Sequence, residues 1–346
     1  MVRGRWSRRR LLTVMALSLA GLLVLGAGVV AGGVLWADSR IERISDPFAG
    51  LDDAERPTVA PEVAQGDGTP LNFLVLGSDS RISAGVPEDW EVGAQRTDAI
   101  MVVHVAADRR DVTVVGIPRD SWVPIPGHGE AKINAAYSWG GPALMIRTVE
   151  QLLDVRIDHF AVADFESFKD LTDALGGVQV SVPEDTYSKG ELVVKAGEQR
   201  LDGEQALAYT RQRYGLPGGD LDRMRRQQAW MRSIVQETAT TGTLSNPVRL
   251  ANLVEIITGA VAVDDSLDRD ALLSLATSLR HLRGDDVELL TVPLAGFGWS
   301  PDGKQSIVEL DHGGLELLAE TIADDTVDDY VRDNAEELNV LDDVVR

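Results

Sequence analysis

The 346-residue sequence predicts an α/β domain whose helices cover a central sheet, preceded by one membrane segment. Three observations predict it. Short apolar runs closed by glycine or polar turns interleave with stretches of helical spacing, which is the pattern of layered α/β architecture. The 44% hydrophobic content suffices for a sizeable packed core. Leu11 to Ala37 is a run of 27 residues without a charge, where about 20 apolar residues span a bilayer.

Arg3, Arg5, Arg8, Arg9 and Arg10 precede that run, and Asp38 and Glu42 follow it. The positive-inside bias puts residues 1–10 in the cytoplasm and everything after residue 38 outside. A cleaved signal peptide would have an apolar region of about 7–15 residues and a small-x-small cleavage site. No good site of that kind closes this run, so the reading is an uncleaved single-pass anchor in the cell membrane. Six of the 33 basic and one of the 55 acidic residues lie in residues 1–40, leaving 27 against 54 and a net charge of −27 beyond them. So acidic a surface repels nucleic acid, and no helix-turn-helix signature is present. The absence of cysteine excludes disulfides, thiolate metal sites and cysteine nucleophiles.

Residues 38–70, rich in Asp, Pro and Gly, read as an extracytoplasmic linker. Asn72 to Gly77 is a short apolar run with a glycine stop, hence a buried strand. Ala99 to Val105 and Val112 to Ile117 read as strands joined by the polar turn Asp108 to Asp111. Helical spacing marks Pro142 to Leu153 and Phe165 to Leu175, with the strand His159 to Ala163 between them. Val178 to Val182 is a strand after Gly176-Gly177. Gly203 to Tyr209 reads as a short helix and Asp220 to about Thr240 as a long one. Past Pro247 come a helix, the strand Ala260 to Val263, a helix over Arg269 to Leu282, the strands Val287 to Val292 and Ile307 to Leu310, and a helix near Leu315 to Ile322. Residues 241–325 either continue the first domain or form a small α/β companion. Residues 326–346 are most simply a solvated, partly disordered acidic tail.

The residues able to carry chemistry sit at strand ends and helix starts. Asp79 lies just past the first strand and Asp98 just before the second. Carboxylates so placed can converge on Mg²⁺, which takes one or two carboxylates plus waters and phosphates; the same aspartates would also serve as turn or cap residues. Arg119 and Asp120 follow the third strand, with Lys132 and Asn134 close behind. Arg211 and Arg213 follow the short helix. On the long helix Arg223, Arg226 and Gln227 share one face, with Asp220 placed to cap it. Charge runs are usually solvated faces. Here an acidic domain gathers its arginines in a few such segments, and guanidinium forks suit phosphate oxygens. Aspartates with arginines fit a metal-bound pyrophosphate better than a bare sugar. Zinc-protease spacing, Gly-x-Ser-x-Gly and Walker-A patterns are missing. Tyr137 and Trp139 suit either the core or a stacked sugar.

In order, Leu74 to Arg81, Arg96 to Met101, Ile117 to Asp120, Lys132 to Tyr137, Ala174 to the Val178 strand, Leu201 to Arg213, and Asp220 to Gln228 resemble the LytR-CpsA-Psr family of cell-wall ligases. The resemblance covers residues 71–240. It implies an α/β/α sandwich with a central mixed sheet and a lipid-binding tunnel, the helices of residues 142–175 being candidate walls. It also implies transfer of a glycopolymer from a polyprenyl-pyrophosphate carrier to a peptidoglycan hydroxyl, releasing polyprenyl phosphate. Residues 71–240 then form the catalytic domain. The family's Mg²⁺ pair falls on Asp79 and Asp98, with Mn²⁺ as a substitute ion. Its pyrophosphate ligands fall on Arg96, Arg119, Arg211, Arg213, Arg223 and Gln227. Arg119, Asp98 and Asp120 are the catalytic candidates, Asp120 as proton acceptor or as a capping and salt-bridge residue. The Asp79 to Arg96 stretch is longer than the family's usual, and residues 247–325 look like the continuation in actinobacterial members. A polyprenyl-pyrophosphate-glycan pyrophosphatase and a non-catalytic carrier-binding scaffold or regulator are the rival readings.

Overall fold

The computed structural model describes residues 42–58, 68–78, 97, 99–188, 190–212, 222, 225–227, 229–230, 233–234, 237, 261–279, 282 and 286–334. Among them, β1 (Glu42–Ile44), β2 (Leu71–Ser78), β3 (Ala99–Val105) and β4 (Val112–Ile117) precede a hairpin of β5 (Trp122–Ile125) and β6 (Gly129–Lys132). Helix α1 (Asn134–Leu153), β7 (His159–Asp164) and α2 (Phe165–Ala174) come next. Then follow β8 (Val178–Val182), β9 (Thr186–Ser188), β10 (Glu191–Val194), β11 (Gly197–Leu201) and α3 (Gly203–Arg211). The chain closes with β12 (Val261–Asp264), α4 (Arg269–Ser278), β13 (Val287–Thr291), β14 (Leu294–Trp299), β15 (Ser306–Leu310), α5 (His312–Ala323) and α6 (Val327–Asp333).

Seven of these strands form one mixed sheet in the order β1-β12-β7-β2-β3-β4-β13. β2, β4, β7 and β13 run one way, and β1, β3 and β12 the other. The ends of the first set and the starts of the second therefore share one end of the sheet, here termed the carboxyl end. Ligands in open α/β sheets bind at such ends.

Period-two alternation sends neighbouring side chains to opposite faces. Leu74, Leu76, Ile100, Val102, Val115 and Ile117 are almost fully buried, in one core with Met145, Ile146 and Val149 of α1 and Leu318 and Ile322 of α5. On the other face Met101, Val114 and Leu289 pack with Ala229, while Phe73, Val75 and Val103 stay half-buried. A smaller core gathers Leu171, Val178, Val180, Leu201, Tyr209 and Trp230. Helix α1 starts eight residues before the predicted Pro142 because non-helical Gly140 and Gly141 (φ 63°) join two helical segments there.

Three boundaries change. Residues 42–58 of the linker belong to the fold: β1 pairs with β12 and buries Ile44, and Arg56 forms an ion pair with Glu150 at 2.8 Å. Local composition misleads there because the partners lie far away in sequence. Residues 261–322 are no companion domain, since β12 and β13 insert into the main sheet and α5 joins its core. The acidic tail is structured over its first part. Val327 and Val331 of α6 are buried in the main core, and Arg332 pairs with Asp328 and Asp329. No helix among the described residues is long and apolar enough to cross a membrane; Leu11 to Ala37 lies outside them.

Candidate functional site

The best-defined part of the site is the turn that leaves β4 at the carboxyl end. Ser121 N–H donates to the Pro118 carbonyl at 3.0 Å and closes the turn that carries Arg119 and Asp120. Three further backbone bonds pin it. The Arg119 carbonyl accepts from Asn134 at 3.3 Å, the Asp120 carbonyl from Val308 at 2.9 Å, and the Ser121 carbonyl from Ile133 at 2.8 Å. The Asp120 carboxylate lies 2.9 Å from Lys132 Nζ and 4.0 Å from Arg119 Nε. All three side chains are about one-fifth exposed. Such partly exposed pairs add little stability. Their consequence is geometric: one aspartate orients two cations, and the trio keeps a net positive charge suited to phosphate oxygens.

Helix α3 places Arg211. Asp202 and Gln205 form a reciprocal capping box, the Asp202 carboxylate accepting from Gln205 N–H at 2.9 Å and Gln205 Oε1 from Asp202 N–H at 3.1 Å. A side chain at position 203 is impossible here: a Cβ on Gly203 would meet the Lys169 carbonyl at 2.3 Å. This close approach of α3 to α2 sets the helix axis, and Arg211 stands exposed in its last turn.

The described positions between 222 and 237 are helical. Arg226 is 1% exposed and packs its guanidinium 4.6 Å over the Tyr209 ring. It donates to Gln212 Oε1 at 3.0 Å, the Tyr209 carbonyl at 3.3 Å and Glu184 at 3.4 Å. Burial lowers its pKa and pushes the Tyr209 hydroxyl up to about 12. Arg226 thus clamps this helix to the end of α3, one residue beyond Arg211. Gln227 is buried at 7% exposure.

Of the predicted site residues, Arg119, Asp120, Arg211 and Gln227 are described; Asp79, Arg96, Asp98, Arg213, Arg223 and the capping Asp220 lie outside the described residues. Gly77 of β2 pairs with Ala99 of β3, so the strands that lead to Asp79 and from Asp98 meet side by side at the carboxyl end. Two carboxylates are the hard oxygen donors Mg²⁺ takes. No cluster of three His, Asp or Glu able to hold a metal occurs among the described residues. Of the two aromatic candidates, Tyr137 is buried in the main core and Trp139 is 40% exposed with its ring 5.1 Å from that of His128.

Buried polar atoms normally have partners. Thr97 Oγ1, Ser121 Oγ, Tyr209 Oη and Gln227 Oε1 are buried and have none among the described residues. Each falls in a site segment: Thr97 between Arg96 and Asp98, Ser121 after Asp120, Tyr209 two before Arg211, and Gln227 itself. Sequence reasoning missed Thr97 and Ser121, whose hydroxyls carry no spacing signal, and the Lys132–Asp120 pairing across the β5–β6 hairpin. The Arg226 clamp was legible only as a shared helix face.

A mixed α/β domain with a cationic turn at the carboxyl end of its sheet is thus defined. The LytR_cpsA_psr family model matches residues 49–320, and the chain belongs to that family. It is similar to the probable cell wall biosynthesis protein LcpB of Corynebacterium glutamicum, 37% identical over 309 residues, covering 87% of this chain and 69% of that protein. It is also similar to the polyisoprenyl-teichoic acid–peptidoglycan teichoic acid transferase TagU of Bacillus mycoides, 33% identical over 238 residues, covering 66% of this chain and 72% of the relative. Among solved structures, B. subtilis TagV superposes with a TM-score of 0.61 at 26% identity, over 74% of this chain and 97% of that one. TagT bound to LIIa-WTA gives 0.58 at 25% identity, over 80% and 98%.

Proposed function

We propose that this chain is a Mg²⁺-dependent phosphotransferase, with Mn²⁺ as a substitute ion. It moves a glycopolymer from a polyprenyl-pyrophosphate carrier to a peptidoglycan hydroxyl and releases polyprenyl phosphate. The observation that carries the reading is the concentration of buried, unpartnered oxygens beside the arginine segments, on Thr97, Ser121, Tyr209 and Gln227. Membership of the family and the printed activity of the TagU relative support it.

Arg119, oriented by Asp120, holds the pyrophosphate and offsets charge that develops on the leaving polyprenyl phosphate. Arg96, Arg211, Arg213 and Arg223 complete the grip, and Gln227 adds a polar contact. Asp79 and Asp98 would hold the metal, which when bound neutralises phosphate charge. The acceptor hydroxyl attacks the sugar-bearing phosphorus, the bond to the polyprenyl phosphate oxygen breaks, the hydroxyl proton ends on the released polyprenyl phosphate, and a phosphodiester remains. Asp120, already engaged by Lys132, is assigned as a positioning residue rather than the proton acceptor. The polyprenyl chain is assigned to the half-buried sheet face of Phe73, Val75 and Val103; helix α1, expected from the family resemblance to wall the lipid tunnel, covers the opposite face instead. β1 begins at the carboxyl end, and Glu42 is five residues past Ala37. An anchor over residues 11–37 would therefore hold the site at the outer membrane surface, where a lipid-bound donor arrives laterally.

The test supplies the full chain, reconstituted in vesicles, with a polyprenyl-pyrophosphate-linked glycan, Mg²⁺ and peptidoglycan. Peptidoglycan-linked polymer with free polyprenyl phosphate is the expected product pair. Free glycosyl phosphate would identify a pyrophosphatase, and carrier binding without turnover a scaffold.

A further inference from the structure

The β14–β15 hairpin presents two of the most exposed large apolar side chains among the described residues, Phe297 at 65% and Trp299 at 66%. They are two apart on one strand, so both rings leave the same face of β14 about 7 Å apart. Gly298, between them, faces the other way, where the Glu309 carboxylate fills the space a side chain would need. Neither ring has a ring, ion-pair or side-chain hydrogen-bond partner among the described residues, whereas the exposed Trp139 has His128.

The hairpin is wired to the candidate site. Phe297 pairs with Val308, Val308 N–H donates to the Asp120 carbonyl at 2.9 Å, and Val308 bridges Ser121. Two strand spacings therefore separate the Phe297 backbone from the Arg119–Asp120 turn, about 10 Å. The hairpin turn is also rigid. Ser300 N–H donates to the Gln305 carbonyl at 2.8 Å, and Asp302 accepts from the Ser300 hydroxyl at 2.6 Å and from Lys304 N–H at 3.1 Å.

Charge narrows the occupant. Asp302, Glu309 and Asp311 outnumber Lys304 on this segment, and the Ser300 hydroxyl holds the Asp302 carboxyl below the usual carboxylate range. An anionic lipid surface or a phosphate-rich polymer meets repulsion there. A neutral polyhydroxy chain does not: its C–H faces cover aromatic rings and its hydroxyls donate to carboxylates.

We propose that Phe297 and Trp299 form a stacking platform for the glycan strand of the peptidoglycan acceptor, steering its hydroxyl to the Arg119–Asp120 turn. The acceptor's identity rests on the phosphotransferase reading above, while the platform's binding is measured separately from transfer.

The experiment uses the full chain in detergent and glycan strands prepared from peptidoglycan without stem peptides. Wild type, Phe297→Ala/Trp299→Ala and Phe297→Tyr/Trp299→Tyr are compared for glycan binding by calorimetry and for the KM of transfer toward acceptor and donor. The alanine pair is expected to weaken glycan binding and raise the acceptor KM about tenfold or more, with donor KM and Tm unchanged. The tyrosine pair should retain both. Glycan binding equal in wild type and alanine pair, or absent from wild type, overturns the platform. Quenching of Trp299 fluorescence by brominated phospholipid in vesicles, read as the difference from Trp299→Phe, also overturns it by placing the ring in lipid. Ring-dependent glycan binding in a wild type that transfers nothing upholds the platform and sinks the phosphotransferase reading instead.

Discussion

The two faces of the central sheet are built from the same strands and differ in how completely they are covered. Leu76 is fully buried against the layer of α1 and α5, whereas its neighbour Val75 points the other way and stays half-buried. The same contrast separates Leu74 from Phe73 and Val102 from Val103. A protein that needed only stability would close both faces, because each buried aliphatic side chain contributes about 1.5–3 kcal/mol. One face is the structural floor. The other buries Met101, Val114 and Leu289 but leaves Phe73, Val75 and Val103 partly open, a gap that suits a hydrocarbon ligand on the reading proposed above.

Substitutions on the two faces can be compared on one scale, the unfolding free energy from denaturant titration. Leu76→Ala removes a side chain from the closed face and should cost about 2–5 kcal/mol. Arg226→Met should cost about 1–3 kcal/mol, since the carbonyl of Tyr209 and Gln212 Oε1 lose their donor. It should also lower carrier affinity, by freeing the end of α3 that carries Arg211. Val75→Ala should cost about 1 kcal/mol or less and weaken polyprenyl-carrier binding more than its stability cost suggests. Equal costs at positions 75 and 76 would remove the distinction between the faces.

The smallest effect is a pH dependence at Asp158. Burial raises its pKa, offset in part by the Asn72 N–H it accepts at 2.8 Å. The folded state then binds the extra proton, so stability falls as pH rises from the unfolded carboxylate range through the folded pKa. Asp158→Asn should therefore stabilise the protein more at pH 7 than at pH 4, by less than about 1 kcal/mol. Thermal unfolding at the two pH values checks this, and an opposite sign would contradict it.

Much of the sheet is legible in the sequence because its strands are continuous apolar runs. Ala99–Val105 and Val112–Ile117 stand where the runs predict them, as does Val178–Val182 in its own two-stranded sheet with β11. β1 is not legible, because three residues with one buried isoleucine carry no periodicity and become a strand only beside β12. β14 hides behind its glycines. α6 does carry a signal, Val327, Tyr330 and Val331 at helical spacing, outweighed in the reading by the acids around it. At the site, the positions of Arg119 and Asp120 past β4 and of Gln227 on the long helix were readable from order and spacing. The pairing of Asp120 with Lys132 and the bond from Val308 were not, since both depend on how distant hairpins dock.

On the reading proposed above, Arg119, paired with Asp120 at the carboxyl end of the sheet, stabilises the charge that develops on the departing polyprenyl phosphate. The most direct test compares wild type with Arg119→Ala in the vesicle transfer reaction, alongside Tm. A loss of about 10²–10³-fold or more in transfer rate is expected, with Tm unchanged to within a few degrees because the turn is held by backbone hydrogen bonds that the substitution leaves in place. Wild-type transfer by a folded Arg119→Ala variant would contradict it.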